Sequence, residues 1–124
     1  MKIYKGGKTL ELDHRMLKDV VGAVEDKKGR DISLLNLKGI SMVTDYFLIA
    51  TGNSTTQVKA ITNHIEEKLP EIGIPLLRVE GLPDAKWVLV DCGDLVIHVM
   101  TPDQREFYNL ERLWGDAEVM TFNA

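Results

Sequence analysis

Residues 87–114, WVLVDCGDLVIHVMTPDQREFYNLERLW, constrain the fold more tightly than any other stretch of the chain. Two segments of alternating character flank Cys92-Gly93, and a helical pattern edged with aromatics follows at once. The short interruption predicts a β-hairpin with strands over 87–91 and 94–100, and a two-residue loop at Cys92-Gly93 sets Asp91 opposite Asp94. Like charges facing each other across a strand pair oppose pairing. Folding alone gives no reason for that arrangement, which directs attention to what the two acids contact.

Side chains alternate between the faces of a strand, so the hairpin has two distinct sides. In that register Val88 and Val90 pair with Ile97 and Leu95, and with Val99 they form a wholly aliphatic face suited to a core. The opposite face carries Trp87, Leu89, Asp91, Asp94, Val96 and His98. An aromatic anchor ringed by polar groups is the make-up of a recognition surface. The same residues also suit a second packing layer, with Trp87 and His98 filling space and the acids at its rim.

With 124 residues the chain is long enough for one domain to bury a single core without disulfides or metal. Its lone cysteine, Cys92, excludes an internal disulfide framework and fits a reducing, cytoplasmic setting. No apolar run approaches a membrane span, and residues 1–10 read as a short polar lead without the apolar segment of a signal peptide. The formal charge is −4 and the pI is near 5.3. Lysine and arginine are scattered apart from Lys27, Lys28 and Arg30, so free nucleic acid is not the expected ligand. A basic protein surface matches an acidic chain better, because complementary charge steers encounter.

Leu17, Val20, Val21 and Val24 recur at helical spacing behind Asp13, a candidate N-cap, and the pattern stops at Gly29. Residues 31–37 and 45–51 read as strands. The second, around Tyr46-Phe47-Leu48-Ile49-Ala50, is nearly continuously apolar and belongs in the middle of a sheet. Ser54 with Gln57 matches a capping box ahead of a helix buried through Val58, Ile61, Ile65 and Leu69, which Pro70 and Gly73 end. Residues 76–80 form a short strand whose Arg78 and Glu80 place it at an edge. After the hairpin, Thr101-Pro102 with Gln104 starts a last helix, with Phe107, Leu110, Leu113 and Trp114 on its apolar side. Residues 116–124 read as a loose tail. The order α-β-β-α-β-β-β-α has no repeat and no linker. It predicts a single α/β domain over 1–124, built on a mixed five-stranded sheet flanked by about three helices.

Motifs of chemistry are sparse. His14, His64 and His98 lie on different elements without zinc-site spacing, and no dinucleotide, triphosphate or acyl-transfer motif occurs, so no catalytic, cofactor or metal residue is assigned. One enzymatic alternative stays open. Gly52-Asn53-Ser54 sits where a strand feeds a helix N-terminus, a place that suits phosphate. Asp91 with Asp94 could hold magnesium as in a nucleotidyltransferase. Acids at the two ends of a hairpin turn differ, however, from the two-apart carboxylates on one strand that such enzymes use, and a helix cap accounts for Ser54.

Several spaced pieces match one family in order: Asp31-Ile32, Thr44-Asp45 with Ile49 and Thr51-Gly52, then Ser54 with Val58 and Glu80-Gly81. Trp87, Asp91 with Gly93-Asp94, Ile97-His98-Val99-Met100, Tyr108, Leu110-Glu111 and Leu113-Trp114 continue the series. Across residues 12–114 the chain resembles the ribosomal silencing factor family, known as RsfS or Iojap. Ile40-Ser41-Met42 and Gln57 depart from its pattern.

The resemblance implies a nucleotidyltransferase-like fold that lacks that activity and serves as a binding factor. Members attach to the large ribosomal subunit through its protein L-fourteen, block joining with the small subunit and damp translation when nutrients are short. Homodimers are a further expectation. On this chain the expected contacts are Trp87 and Val96 as a buried anchor, with Glu80, Asp91 and Asp94 pairing with arginine or lysine and His98 on the same face. Tyr108 and Glu111 extend the surface or secure the last helix, and Trp114 is expected to pack.

Overall fold

The computed structural model describes residues 3–4, 8–9 and 12–120. Strands β1 (Ile3–Tyr4) and β2 (Lys8–Thr9) pair antiparallel ahead of helix α1 (His14–Asp26). Asp13 accepts the Met16 amide at 2.8 Å and caps α1, whose Leu17, Val20, Val21 and Val24 are buried as the 3.6-residue period requires. Strand β3 (Arg30–Asn36) leads through a turn that exposes Ile40, Met42 and Val43 into β4 (Tyr46–Thr51).

Helix α2 (Thr55–Ile72) starts at Ser54, whose Oγ accepts the Gln57 amide at 3.1 Å. The Gln57 side-chain oxygen takes the Asn53 amide at 2.6 Å, and its amino group donates to the Lys27 and Lys28 carbonyls at 3.1 and 3.0 Å. The expected capping box has thus become a tie between the start of α2 and the end of α1. Pro70 lies inside α2 instead of ending it, because a missing N–H in the last turn costs a single bond of the ladder. Gly73 is the stop, its amide closing on the Leu69 and Pro70 carbonyls at 3.0 and 3.2 Å.

Strands β5 (Arg78–Glu80), β6 (Trp87–Asp91) and β7 (Leu95–Met100), helices α3 (Pro102–Tyr108) and α4 (Leu110–Leu113), and strand β8 (Glu118–Met120) complete the chain. The main sheet runs β5-β6-β7-β4-β3-β8, parallel only between β4 and β7. It has six strands, not the expected five. The sixth, β8, comes from the segment read as a loose tail: Leu35 pairs with Val119, and the unpaired edge of β3 gives those backbone groups their partners. Residues 121–124 lie outside the described residues. Strand β4 is central, as its apolar run predicts, and β5 is an edge, as its charges predict.

The last helix is broken. Asn109 adopts φ 42 and ψ 62, which ends α3 and turns the chain into α4. Leu110 is therefore buried, while Phe107 and Leu113, expected on the same apolar side, are 79% and 72% exposed. Thr101 forms no side-chain cap, so the expected box with Gln104 is absent; its hydroxyl donates to Asp103 at 2.7 Å instead.

Helices α1 and α2 share one core with Leu34, Leu48, Ala50, Val88, Val90, Leu95, Ile97 and Val99 of the sheet. The aliphatic side of the hairpin is core, as its alternation predicts. A smaller core of Leu35, Leu37, Ile49, Met100 and Leu110 occupies the other face.

Candidate partner-binding face

The hairpin register differs from the expected one by two residues. Asp91 stands opposite Val96, Val90 opposite Ile97 and Val88 opposite Val99, and the Cys92 amide bonds to the Leu95 carbonyl at 2.8 Å. The turn is therefore Gly93-Asp94. Gly93 takes φ 86, the positive φ that the first central position of a type II′ hairpin turn requires. An even shift keeps every side chain on its expected face. It does take Asp91 out of the position opposite Asp94, so the expected cross-strand pair of acids is not formed.

Each acid has its own surroundings. Asp91 accepts the Gly93 amide at 2.9 Å and lies 3.3 Å from Arg78 Nε. Asp94 is 8% exposed, and its carbonyl accepts the Asp45 and Tyr46 amides at 3.0 and 2.9 Å, which ties the turn to the start of β4.

Pairing across the sheet lays three rows of residues on this face. Arg78, Asp91, Val96, Phe47, Leu35 and Val119 stand side by side, followed by Glu80, Leu89, His98, Ile49 and Ser33, then Trp87, Met100 and Thr51. Two short helices cover these rows only in part. Leu35, Ile49, His98 and Met100 are buried; Trp87, Leu89, Asp91, Val96 and Phe47 are half-buried; Arg78, Glu80 and Tyr108 are exposed. The open part is a strip of aliphatic and aromatic surface with Glu80 and the Arg78–Asp91 pair along its edge.

An arc of rings frames it. Ring centroids lie 5.0 Å apart for Phe107–Tyr108, 4.7 Å for Tyr108–Trp87, 6.0 Å for Trp87–His98, 4.5 Å for His98–Phe47 and 6.0 Å for Phe47–Trp114. Trp87 Nε1 donates to His98 Nδ1 at 3.1 Å. An indole N–H can only donate, so the imidazole is neutral with its proton on Nε2, which has no hydrogen-bond partner. Burial lowers the His98 pKa to about 4, in keeping with that neutral state. His98 thus acts on the open strip by holding Trp87. The face is divided by burial: His98 is buried and Trp114 packs on Phe47, while Glu80, Leu89, Val96 and the Trp87–Tyr108 pair border solvent.

Glu111 points inward. Its carboxylate accepts from Arg105 at 2.8 Å and from Ser33 at 3.0 Å. Burial would raise its pKa, but the hydrogen bonds and charge of Arg105, with the Ser33 bond, outweigh that and lower it.

The pieces of the enzymatic alternative do not meet. Asp94 bonds to the first residue of β4, whereas the Gly52 amide bonds to Met100 beyond its last. A six-residue strand spans roughly 17 Å between them. The Ser54 hydroxyl is engaged as a cap. Among the described residues, no group of three or more His, Cys, Asp or Glu side chains is placed to hold a metal ion. Burial, then the charge of Asp91, push the Cys92 thiol up to about 12, far from thiolate chemistry at neutral pH. No described helix is long and apolar enough to cross a membrane.

Two contributors escaped the sequence reading. Phe47 was hidden in a continuous apolar run, although period-two counting from Ile49 places it on this face. Arg105 lies six residues from Glu111, outside the helical spacings that flag ion pairs.

Comparison with known proteins adds a family to this geometry. The sequence model described as "Ribosomal silencing factor during starvation" matches residues 11–124. Ribosomal silencing factor RsfS of Bacillus subtilis is 51% identical over 102 residues, covering 82% of this chain and 86% of that protein. The mouse protein named "Mitochondrial assembly of ribosomal large subunit protein 1" is 33% identical over 98 residues, covering 77% of this chain and 43% of its own length. The crystal structure of protein CV0518 from Chromobacterium violaceum superposes with a TM-score of 0.80 at 38% identity, over 92% of this chain and 94% of that one.

Proposed function

The chain belongs to the ribosomal silencing factor family, and from that premise we propose that it binds the large ribosomal subunit through ribosomal protein L-fourteen and bars the small subunit from docking. Translation in the cytoplasm is thereby repressed when nutrients are short. The activity is binding, and exclusion is steric: a 14.0 kDa body seated on the rim of the intersubunit face leaves no room for the other subunit.

The observation that carries this reading is the open strip on the second sheet face. Leu89, Val96 and the Trp87–Tyr108 pair supply an apolar centre, and Glu80 and Asp91 supply an acidic edge. That combination suits a basic protein surface, since hot spots are desolvated aromatics and rim charges set orientation and encounter rate. Trp87 and Val96 are the anchor, Tyr108 extends it, and Glu80 and Asp91 pair with lysine or arginine. Asp94 adds to the negative field from the turn. The mouse relative, whose name places it in large-subunit assembly, supports a large-subunit partner. Self-association into homodimers is part of the same proposal.

Co-sedimentation with separated and joined ribosomal subunits tests it. Binding to large subunits, weakened by salt and accompanied by fewer joined particles, is the expected result. Trp87→Ala is expected to cost about 2 kcal/mol or more of binding, a loss of well over tenfold. Equal binding to both subunits, or to neither, rules the proposal out. Unchanged binding by a folded Trp87→Ala protein rules out the anchor.

A further inference from the structure

The ring arc begins on α3 with Phe107 and Tyr108 and ends beside α4 with Trp114, and the two helices meet at Asn109. One elbow of backbone therefore sets both ends of the arc. A single polar cluster spans that elbow. Arg105 Nη2 and Nε reach the two Glu111 oxygens at 2.8 and 3.4 Å, a two-pronged contact. Its Nη1 donates to Thr51 Oγ1 at 3.0 Å and its Nη2 to Ser33 Oγ at 3.2 Å, while Ser33 Oγ donates to Glu111 at 3.0 Å. The Arg105 side chain is 13% exposed. Three elements, β3, β4 and α4, thus hold one guanidinium from α3.

A planar guanidinium with fixed donor directions imposes geometry that an ammonium does not. A partly buried ion pair of this kind adds little net stability, because desolvation offsets attraction. Its use lies in orientation. We propose that Arg105 and Glu111 are positioning residues that lock the α3–α4 elbow, holding Tyr108 against Trp87 and Trp114 against Phe47, and so preset the aromatic border of the partner-binding face. Glu111 acts on a partner through Arg105 and the elbow, without touching it. This inference rests on the binding reading above.

The test uses the full chain carrying Trp114→Phe, so that Trp87 alone reports by fluorescence and near-ultraviolet circular dichroism. Arg105→Met, Arg105→Lys, Glu111→Gln and the double Arg105→Met/Glu111→Gln variant are compared in that background, with far-ultraviolet melting to follow the fold. Each single variant is expected to shift the Trp87 signal and weaken large-subunit binding about tenfold, and the double to lose no more than the worse single, because the two residues act as one unit. A Glu111→Gln protein that binds weakly with an unchanged Trp87 signal, or whose loss adds to that of Arg105→Met, overturns the positioning role in favour of a rim contact. So does an unchanged signal with unchanged binding in Arg105→Met. Should Arg105→Met fail to fold, Arg105→Lys and Glu111→Gln decide. Failure of the unsubstituted protein to bind large subunits overturns the functional reading instead, and the Trp87 signal then decides the elbow lock alone.

Discussion

The two faces of the main sheet are made by the same strands and differ in almost everything else. Under α1 and α2, Leu34, Leu48, Ala50, Val88, Val90, Ile97 and Val99 are all at most 1% exposed. Alternate residues of those strands build the opposite face, where a buried neutral histidine sits among half-buried Trp87, Phe47, Leu89 and Val96. A sealed face can be uniform, because aliphatic side chains bring no polar atoms that need partners. A face covered by two short helices cannot be sealed, so it carries rings and polar groups that tolerate water on one side. Buried aliphatic packing is concentrated on the first face, and the proposed partner contact falls to the second.

Substitutions that separate the two properties test this division. The largest effect is expected from Leu48→Ala, which should lower the unfolding free energy in urea by about 2–5 kcal/mol while leaving subunit binding per folded molecule unchanged. An equal loss from Leu89→Ala would break the contrast between the faces.

Acid is the next lever. The folded-state pKa of His98, near 4, lies below its ordinary 6.5, so the unfolded chain takes up a proton first as pH falls. Stability therefore rises with pH from about 4 to 6.5, by on the order of 3 kcal/mol in total. Urea midpoints measured across that interval should show the rise, and His98→Leu should flatten it. Glu111, with its lowered pKa, adds a further loss as the pH falls below the ordinary carboxylate range.

Gly81→Ala is expected to cost about 1–3 kcal/mol. Gly81 has φ +84, and an added Cβ would lie 2.2 Å from the Trp87 carbonyl oxygen, so the β5–β6 connection must move. Because that connection joins Glu80 to Trp87, binding should fall more than thermal stability does; the reverse result would detach it from the proposed partner-binding face. The smallest effect is expected from Arg78→Ala. The Arg78–Asp91 pair is largely exposed on the arginine side and contributes under about 1 kcal/mol of stability. Its loss leaves Asp91 free for a basic partner, so binding at low salt should tighten, and weaker binding would make Arg78 itself a contact.

Elements with strong local signals were legible in advance. Asp13 and the Leu17–Val24 spacing mark α1, and the apolar run of β4 marks a central strand. The hairpin shows where such signals end. Shifting its register by two residues keeps the same side chains on the same faces, so alternation cannot distinguish Asp91 opposite Asp94 from Asp91 opposite Val96. Asn109 breaks the last helix without a proline or glycine to announce it, and Glu118-Val119-Met120 has no pattern of its own until β3 offers an edge.

The candidate site divides the same way. Trp87, Leu89, Asp91, Val96 and His98 could be assigned to one face from sequence, because facing depends only on parity along a strand. The burial of His98, the inward turn of Glu111 and the grip of Arg105 depend on groups many residues away.

By itself the sequence determined the family resemblance, the helices and central strands, and which hairpin side chains face the core, since all of these rest on local chemistry and period. Only the tertiary structure decided the register of the hairpin, the sixth strand, the broken last helix and the pairing of Trp87 with His98 and of Arg105 with Glu111. The sixth strand and the hold of Ser33 and Thr51 on Arg105 join distant parts of the chain, whose contacts exist only once the sheet has formed; the register, the helix break and the two short-range pairs leave the periodic pattern unchanged, so period alone cannot select them.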